Sequence, residues 1–184
     1  MSVTTNVGAG RSVLNLGSGL KPMAGAVNLD VSASTHPDIV HNLDVAPWPF
    51  HPSTFDEIHA YDVIEHLDNT LVTMEEIHRI SRPGAVVHIT VPHFSSANAF
   101  TDPTHRHYFG YYSFHYFTGG SAFPFYSSAT FRRRSLQLVF HPTLLNRLVW
   151  RVAARWPAAY ERGWAWILPA WFISVELEVI KDLQ

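Results

Sequence analysis

The sequence predicts an α/β fold, a parallel β-sheet with helices on both faces. Three observations predict it. Short apolar runs of strand length recur through the first half of the chain, around a helical pattern at residues 69–81. The first run, residues 12–16, leads straight into Gly17-Ser18-Gly19. The next three end in or near a carboxylate: Asp30, Asp44 and Asp62. Strands that alternate with helices form parallel sheets, because each crossover lays a layer on one face before the next strand begins.

The elements follow in order. Residues 12–16 and 26–31 form the first two strands, residues 39–43 the third, and residues 55–64 contain the fourth, FDEIHAYDVI. In residues 69–81, Leu71, Val72, Met74, Ile77 and Ile80 recur at helical spacing, with Asn69 or Thr70 as the cap. Arg82-Pro83-Gly84 ends that helix, since proline lacks the N–H that a helix needs. Residues 85–91 are a β-branched fifth strand. Further on, residues 131–140 read as a strand, residues 144–154 as an amphipathic helix with Arg147, Arg151 and Arg155 at four-residue spacing, and residues 173–181 as an alternating strand.

Composition narrows the function. The chain has 184 residues, 13 Lys+Arg against 15 Asp+Glu (net −2), 47% hydrophobic residues, 12 histidines and no cysteine. That length fits one domain with a sizeable core, and the apolar content argues against disorder. Zero cysteine excludes a disulfide scaffold, a thiol nucleophile and a thiolate zinc site. The near-neutral charge offers no footprint for nucleic acid. Residues 1–11 lack the basic-then-apolar pattern of a leader, and residues 163–175 are too short an apolar stretch to span a bilayer. A cytoplasmic protein is the expectation.

In a doubly wound sheet, ligands bind outside the carboxyl ends of the strands. Gly17 and Gly19 let backbone approach a ligand where a Cβ would clash. Asp30, one strand further on, can accept two charge-assisted hydrogen bonds from ribose hydroxyls. The dinucleotide fingerprint is incomplete and no phosphate loop is present, so a phosphate-free nucleoside is the favoured ligand.

The runs VLNLGSG (residues 13–19), VNLDV (27–31), HNLDVAPWPF (41–50), FDEIHAYDVIEHL (55–67) and EIHRISRPGAVVHITVP (76–92) together resemble the class I S-adenosylmethionine-dependent methyltransferases, in particular a small type 11-like group. The resemblance covers about residues 12–93. It implies a three-layer Rossmann-like sheet, mostly parallel with an antiparallel C-terminal strand. It also implies S-adenosyl-L-methionine as cofactor and roles for matching positions. Asn15, Gly17, Ser18 and Gly19 would form the loop beside the methionine part, and Asp30 would bind the ribose. Asp44 and the Val45 backbone would meet the adenine, and Asp62 with Glu65-His66 would line the methionine side. Asn15 stands where the family has an acid, so it offers a carbonyl without the charge.

The second half differs in composition. From residue 88 to 131 only Asp102 and Arg106 are charged, and 13 aromatics lie between Phe94 and Phe131. We read one domain, with residues 12–93 holding the cofactor and residues 94–184 the acceptor. His93, Asp102, His105 and His107 fall within fifteen positions after the fifth strand, where an acceptor would meet the cofactor. An alcohol acceptor must lose a proton during methyl transfer, and histidine suits that task. His93 or His105 is the expected base, with Asp102 orienting it. A metal held by His93, Asp102 and His105 is the second reading, and the preferred site has none. His107, Tyr108, Tyr111 and Tyr112 are the expected acceptor wall. Five of the six tryptophans lie in residues 150–171, a surface suited to packing or a homodimer, with membrane contact ranked last.

The expected function is therefore methyl transfer to a hydroxyl or amine of a small molecule or glycan. The alternative is a methyltransferase-like binding or scaffold protein that does not catalyse.

Overall fold

The computed structural model describes residues 11–119 and 125–181, so most of the stretch read above for a leader lies outside it. Seven strands form one sheet: β1 (Val13–Leu16), β2 (Val27–Asp30), β3 (Ile39–Val40), β4 (Phe55–Tyr61), β5 (Ser81–Pro92), β6 (Thr130–Val139) and β7 (Phe172–Ile180). Their order is β3-β2-β1-β4-β5-β7-β6. β1 to β5 run parallel, and β7 is antiparallel to both of its neighbours. The mostly parallel sheet with an antiparallel C-terminal strand is the arrangement expected. No helix among the described residues is long and apolar enough to cross a membrane.

Helix α1 (Thr70–Ile80) begins at Asn69, whose side chain accepts from the Leu71 and Val72 backbone N–H groups. Such a cap is worth about 1 kcal/mol. Met74, Ile77 and Ile80 are fully buried in the core, each contributing on the order of 1.5–3 kcal/mol. The helix stops at Ile80, ahead of Pro83. Ser81 is already extended and pairs with Phe55, so β5 starts four residues before the strand read from the sequence. Proline's restriction on the preceding residue acts here by favouring strand over helix.

β3 is shorter than expected. The chain leaves it at His41 because Asn42 closes a turn, its side chain accepting from the Asp44 N–H and its carbonyl from the Val45 N–H. The connection from β1 to β2 is ten residues of turn with no helix, and that from β2 to β3 holds a single 3-10 turn, Ala33–Thr35. The C-terminal part adds α2 (Asn98–Thr101), α3 (Leu144–Arg155) and α4 (Pro157–Gly163).

The sheet is apolar on one face. Ile58 and Ala60 of β4, Val87, Ile89 and Val91 of β5, and Ile173, Val175, Leu177 and Val179 of β7 are all buried. The intervening positions are polar. Glu57 Oε1 lies 3.0 Å from His59 Nε2 and 3.1 Å from His88 Nε2, and the two imidazoles stack at 4.8 Å. Strand periodicity of two produces this split.

Candidate functional site

Two adjoining cavities open at the carboxyl ends of the parallel strands. The larger, about 750 Å³, is lined by Gly17 after β1, Asp30 and Val31 after β2, and His41–Asp44 after β3. Asp62, Val63, His66 and Leu67 after β4 complete one side, and Pro103, Thr104 and Arg106 the other. The smaller, about 510 Å³, is lined by Asp62, Glu65, His66, Pro92, Asn98, Thr101, Asp102, Pro103, His105 and Phe172. Asp62, His66 and Pro103 belong to both.

The wall of the larger cavity is set by backbone conformation. Gly17 has φ +60°, and a Cβ there would meet Val63 Cγ2 at 2.5 Å. Only glycine fits such a position. The Asp30 carboxylate receives the Gly19 N–H at 2.8 Å on one oxygen and the Ser32 N–H at 2.8 Å on the other. It thereby ties the glycine turn to the end of β2. A carboxylate has about four acceptor sites, so each oxygen keeps one for a ligand. Asp44 takes the Asp68 N–H at 2.7 Å. The segment that carries it is held from behind: Trp48 N–H donates to Glu76 at 2.6 Å, and Arg79 bonds Glu76 and the carbonyls of Trp48 and Phe50.

Asp62 sits at a non-glycine φ of +55°, fixed by its N–H on the Thr90 carbonyl and by the Thr90 hydroxyl on its carboxylate. The turn it makes carries the chain into a 3-10 turn, Ile64–His66. Glu65 is 1% exposed and neither carboxylate oxygen has a partner. Burial, reinforced by the negative charges of Asp62 and Asp102, pushes its carboxyl up to about 8. Burial and the neighbouring His105 hold His66 below the usual imidazole range. The loop facing them docks through the Glu65 carbonyl, which receives the Arg106 and His107 N–H groups, and through an Arg106–Asp68 ion pair.

The expected cofactor residues divide. Gly17, Asp30, Asp44, Asp62 and His66 line the larger cavity. Asn15 and Ser18 are buried and do not line it; the Asn15 side-chain NH2 donates to Asn28 Oδ1 and the Lys21 carbonyl. Gly19 reaches the site through its N–H on Asp30. Val45 is exposed outside the cavity.

The expected catalytic set also divides. Asp102 and His105 line the smaller cavity, while His93 lines neither. His93 is fully buried, its Nδ1 against Ser95 Oγ at 2.7 Å and its Nε2 against Glu161 Oε1 at 3.1 Å. Glu161 comes from α4, 68 positions along, and nothing in the local sequence signals that pairing. His107, Tyr108, Tyr111 and Tyr112 line neither cavity. Tyr108 stacks on Phe100, and His107 reaches the Asp68 carbonyl. The Tyr111 N–H is fixed on Glu161. The sequence reading missed Pro103, Thr104 and Arg106, which close the larger cavity on the side of the smaller one.

Comparison with known proteins agrees with this geometry. Residues 9–138 match the model of a family described as a methyltransferase domain. No curated protein matches the sequence. Three solved structures are similar over most of both chains. One is a SAM-dependent methyltransferase from Archaeoglobus fulgidus, with TM-score 0.64 and 13% identity, covering 94% of this chain and 87% of that one. A second is a SAM-dependent methyltransferase from Mesorhizobium loti, with TM-score 0.61 and 13% identity over 92% and 91%. The third is the YcgJ protein from Bacillus subtilis, with TM-score 0.57 and 11% identity over 95% and 94%. At these identities structural likeness fixes the fold alone, whereas the family match spans more than half of the chain, and the chain belongs to the methyltransferase-domain family, with the class I fold.

Proposed function

We propose that this protein transfers a methyl group from S-adenosylmethionine to a hydroxyl of a neutral small molecule or glycan. The observation that carries the reading is the pair of adjoining cavities that share Asp62, His66 and Pro103. One suits a nucleoside and the other an acceptor, so methyl and nucleophile can meet at the shared wall. The larger cavity fits the cofactor: Gly17 leaves backbone bare at it, and Asp30 keeps acceptor sites for the ribose. When bound, the cofactor supplies an electrophilic methyl on a sulfonium centre.

The residues of this chain do the rest. Asp30 orients the ribose, and Asp44 stands at the adenine end. Asp62 and Asp102 make the smaller cavity acidic, which repels an anionic acceptor and favours a hydroxyl. Asn98 and Thr101 add polar groups of the kind that orient a polyhydroxyl ring. His105 donates Nδ1–H to the Ala99 carbonyl, so Nε2 carries a lone pair able to receive the hydroxyl proton. Alignment and exclusion of water supply the remaining catalysis.

The test is direct. Calorimetry with S-adenosylhomocysteine should show one site per chain. Labelled S-adenosylmethionine should then transfer its methyl into a member of a hydroxyl-acceptor library. His105→Ala should lower turnover while leaving S-adenosylhomocysteine binding within about twofold of wild type. Absence of nucleoside binding by the intact chain would sink this reading. Binding without transfer to any acceptor would favour the non-catalytic alternative.

A further inference from the structure

We propose that Glu65, His66 and His105 bind a divalent transition-metal ion at the acceptor cavity. A carboxylate oxygen and one ring nitrogen from each imidazole lie within 4.8 Å of one another. What makes this cluster unusual is its hydrogen-bond bookkeeping. The Thr104 hydroxyl donates to Asp102 Oδ1 at 2.7 Å, so its one proton is spent. Its oxygen, 2.8 Å from His66 Nδ1, can therefore only accept, and His66 carries its proton on Nδ1. His105 Nδ1 faces the Ala99 carbonyl at 3.1 Å, which also can only accept. Both rings are thus fixed as Nδ1–H tautomers with a lone pair at Nε2.

Glu65 supplies two further carboxyl oxygens, buried and without any partner. Three side chains able to ligate thus converge, and a buried carboxyl left unpaired is costly. A divalent cation that displaces the Glu65 carboxyl proton satisfies all three at once. Two imidazoles and one carboxylate form a set that suits borderline metals such as zinc or manganese and leaves positions open toward the cavity. The Ala99 carbonyl and the Thr104–Asp102 pair then act as the outer partners that orient ligand imidazoles. The sequence offers His93, Asp102 and His105 for a metal only as a second reading, behind a site with none. The structure moves the set, since His93 is committed to Glu161 and Asp102 to Thr104.

The proposal rests on the methyl-transfer reading only for its use. With the ion bound, His105 Nε2 is a ligand and no longer the base. An acceptor hydroxyl on an open position of the ion is acidified, and its proton passes to bulk water at the open side of the cavity.

The experiment titrates the chelator-stripped full chain with Zn2+ and Mn2+ by calorimetry, with S-adenosylhomocysteine binding measured on the same samples. One ion per chain is expected, with Glu65→Gln and His105→Gln each weakening it at least about 10-fold. Glu57→Gln, in the separate Glu57–His59–His88 cluster on the sheet face, should leave ion binding unchanged. The inference is overturned if no ion binds, if Glu65→Gln binds it as wild type does, or if Glu57→Gln abolishes it. S-adenosylhomocysteine binding without ion binding removes the metal site and leaves the methyl-transfer reading intact. Ion binding without S-adenosylhomocysteine binding does the reverse.

Discussion

Replacing Gly17 by alanine tests how the larger cavity is built. Two costs add. At φ +60° an L-residue loses about 1–2 kcal/mol relative to glycine. The new Cβ would also stand 2.5 Å from Val63 Cγ2 and 2.8 Å from Val63 Cβ, too close for any real pair of carbons. Forcing an extra carbon into such a site costs about 1–3 kcal/mol. Gly17→Ala should therefore destabilise the fold by about 2–5 kcal/mol. Gly19→Ala is the internal control: φ is +47°, and a Cβ would meet only the Gly17 carbonyl, at 3.9 Å. It should cost the conformational part alone, about 1–2 kcal/mol. The gain from a stiffer unfolded chain is common to both and cancels. Urea unfolding followed by tryptophan fluorescence reads the difference. A cycle with Val63→Ala sharpens it: that change removes the methyl at 2.5 Å and leaves the Cβ at 2.8 Å, so it should relieve part of the clash and cost less in the Gly17→Ala background than in wild type, with a coupling of about 1 kcal/mol. Equal costs for the two glycines, or additive behaviour with Val63→Ala, would refute the proposal that Val63 shapes this wall.

Other outcomes follow from the same structure. Asp30→Ala should weaken S-adenosylhomocysteine binding by at least about 30-fold, since it removes two charge-assisted acceptors and unties the glycine turn; calorimetry reads this. His93→Ala should lower stability by about 2–4 kcal/mol, because it opens a void and leaves Glu161 with the Tyr111 N–H but without the imidazole, yet leave nucleoside affinity near wild type. Burial pushes the Glu76 carboxyl up, but hydrogen bonds from Arg79 and the Trp48 N–H outweigh it and leave the carboxyl below its ordinary 4.5. That stabilisation is present above pH 4.5 and is lost as pH falls through the lower folded value; Glu76→Gln should flatten the acid limb of the stability curve. The exposed Trp164 and Trp166 lead us to propose a homodimer through this face. Converting both to glutamate should then shift the mass seen by light scattering to that of a monomer.

The wall of the larger cavity was legible because its signals are local. A strand-length apolar run ending in Gly17-Ser18-Gly19, and carboxylates at the ends of later runs, suffice once the sheet is parallel. Topology then gathers those ends at one edge. Where the reading failed, the deciding contact was remote or conformational. His93 follows β5 as expected, but Glu161 of α4 captures it. Tyr111 is fixed by that same carboxylate. The resemblance puts the Val45 backbone at the adenine, and the Asn42 turn ends β3 early enough to leave Val45 in solvent. No α-helix joins the first three strands. The β1–β2 segment contains Gly17, Gly19, Pro22 and Gly25, and three left-handed glycines with a proline cannot form a helix. Glu65 was read as a cofactor neighbour. The left-handed turn at Asp62 carries it under the other cavity, and no sequence pattern announces a positive φ at aspartate.

The turn at Asp62 lies in the left-handed region. An αL residue kept for geometry alone would be glycine, which adopts it without strain. Here it is an aspartate at φ +55° whose carboxylate lines both cavities. Non-glycine residues held there store strain on the order of 1 kcal/mol or more, and they persist where function uses the side chain. Asp62→Gly removes the carboxylate and the strain together, so stability should stay within about 1 kcal/mol of wild type, the lost Thr90 hydrogen bond offsetting the relief. Asp62→Ala keeps the strain and loses the bond, and should be less stable than the glycine variant by about 1 kcal/mol. Both should bind S-adenosylhomocysteine at least about 10-fold more weakly, a loss of about 1.4 kcal/mol. If the glycine variant is no more stable than the alanine variant, the turn is not strained. If both bind the nucleoside as wild type does, the aspartate is there for the fold and not for the ligand.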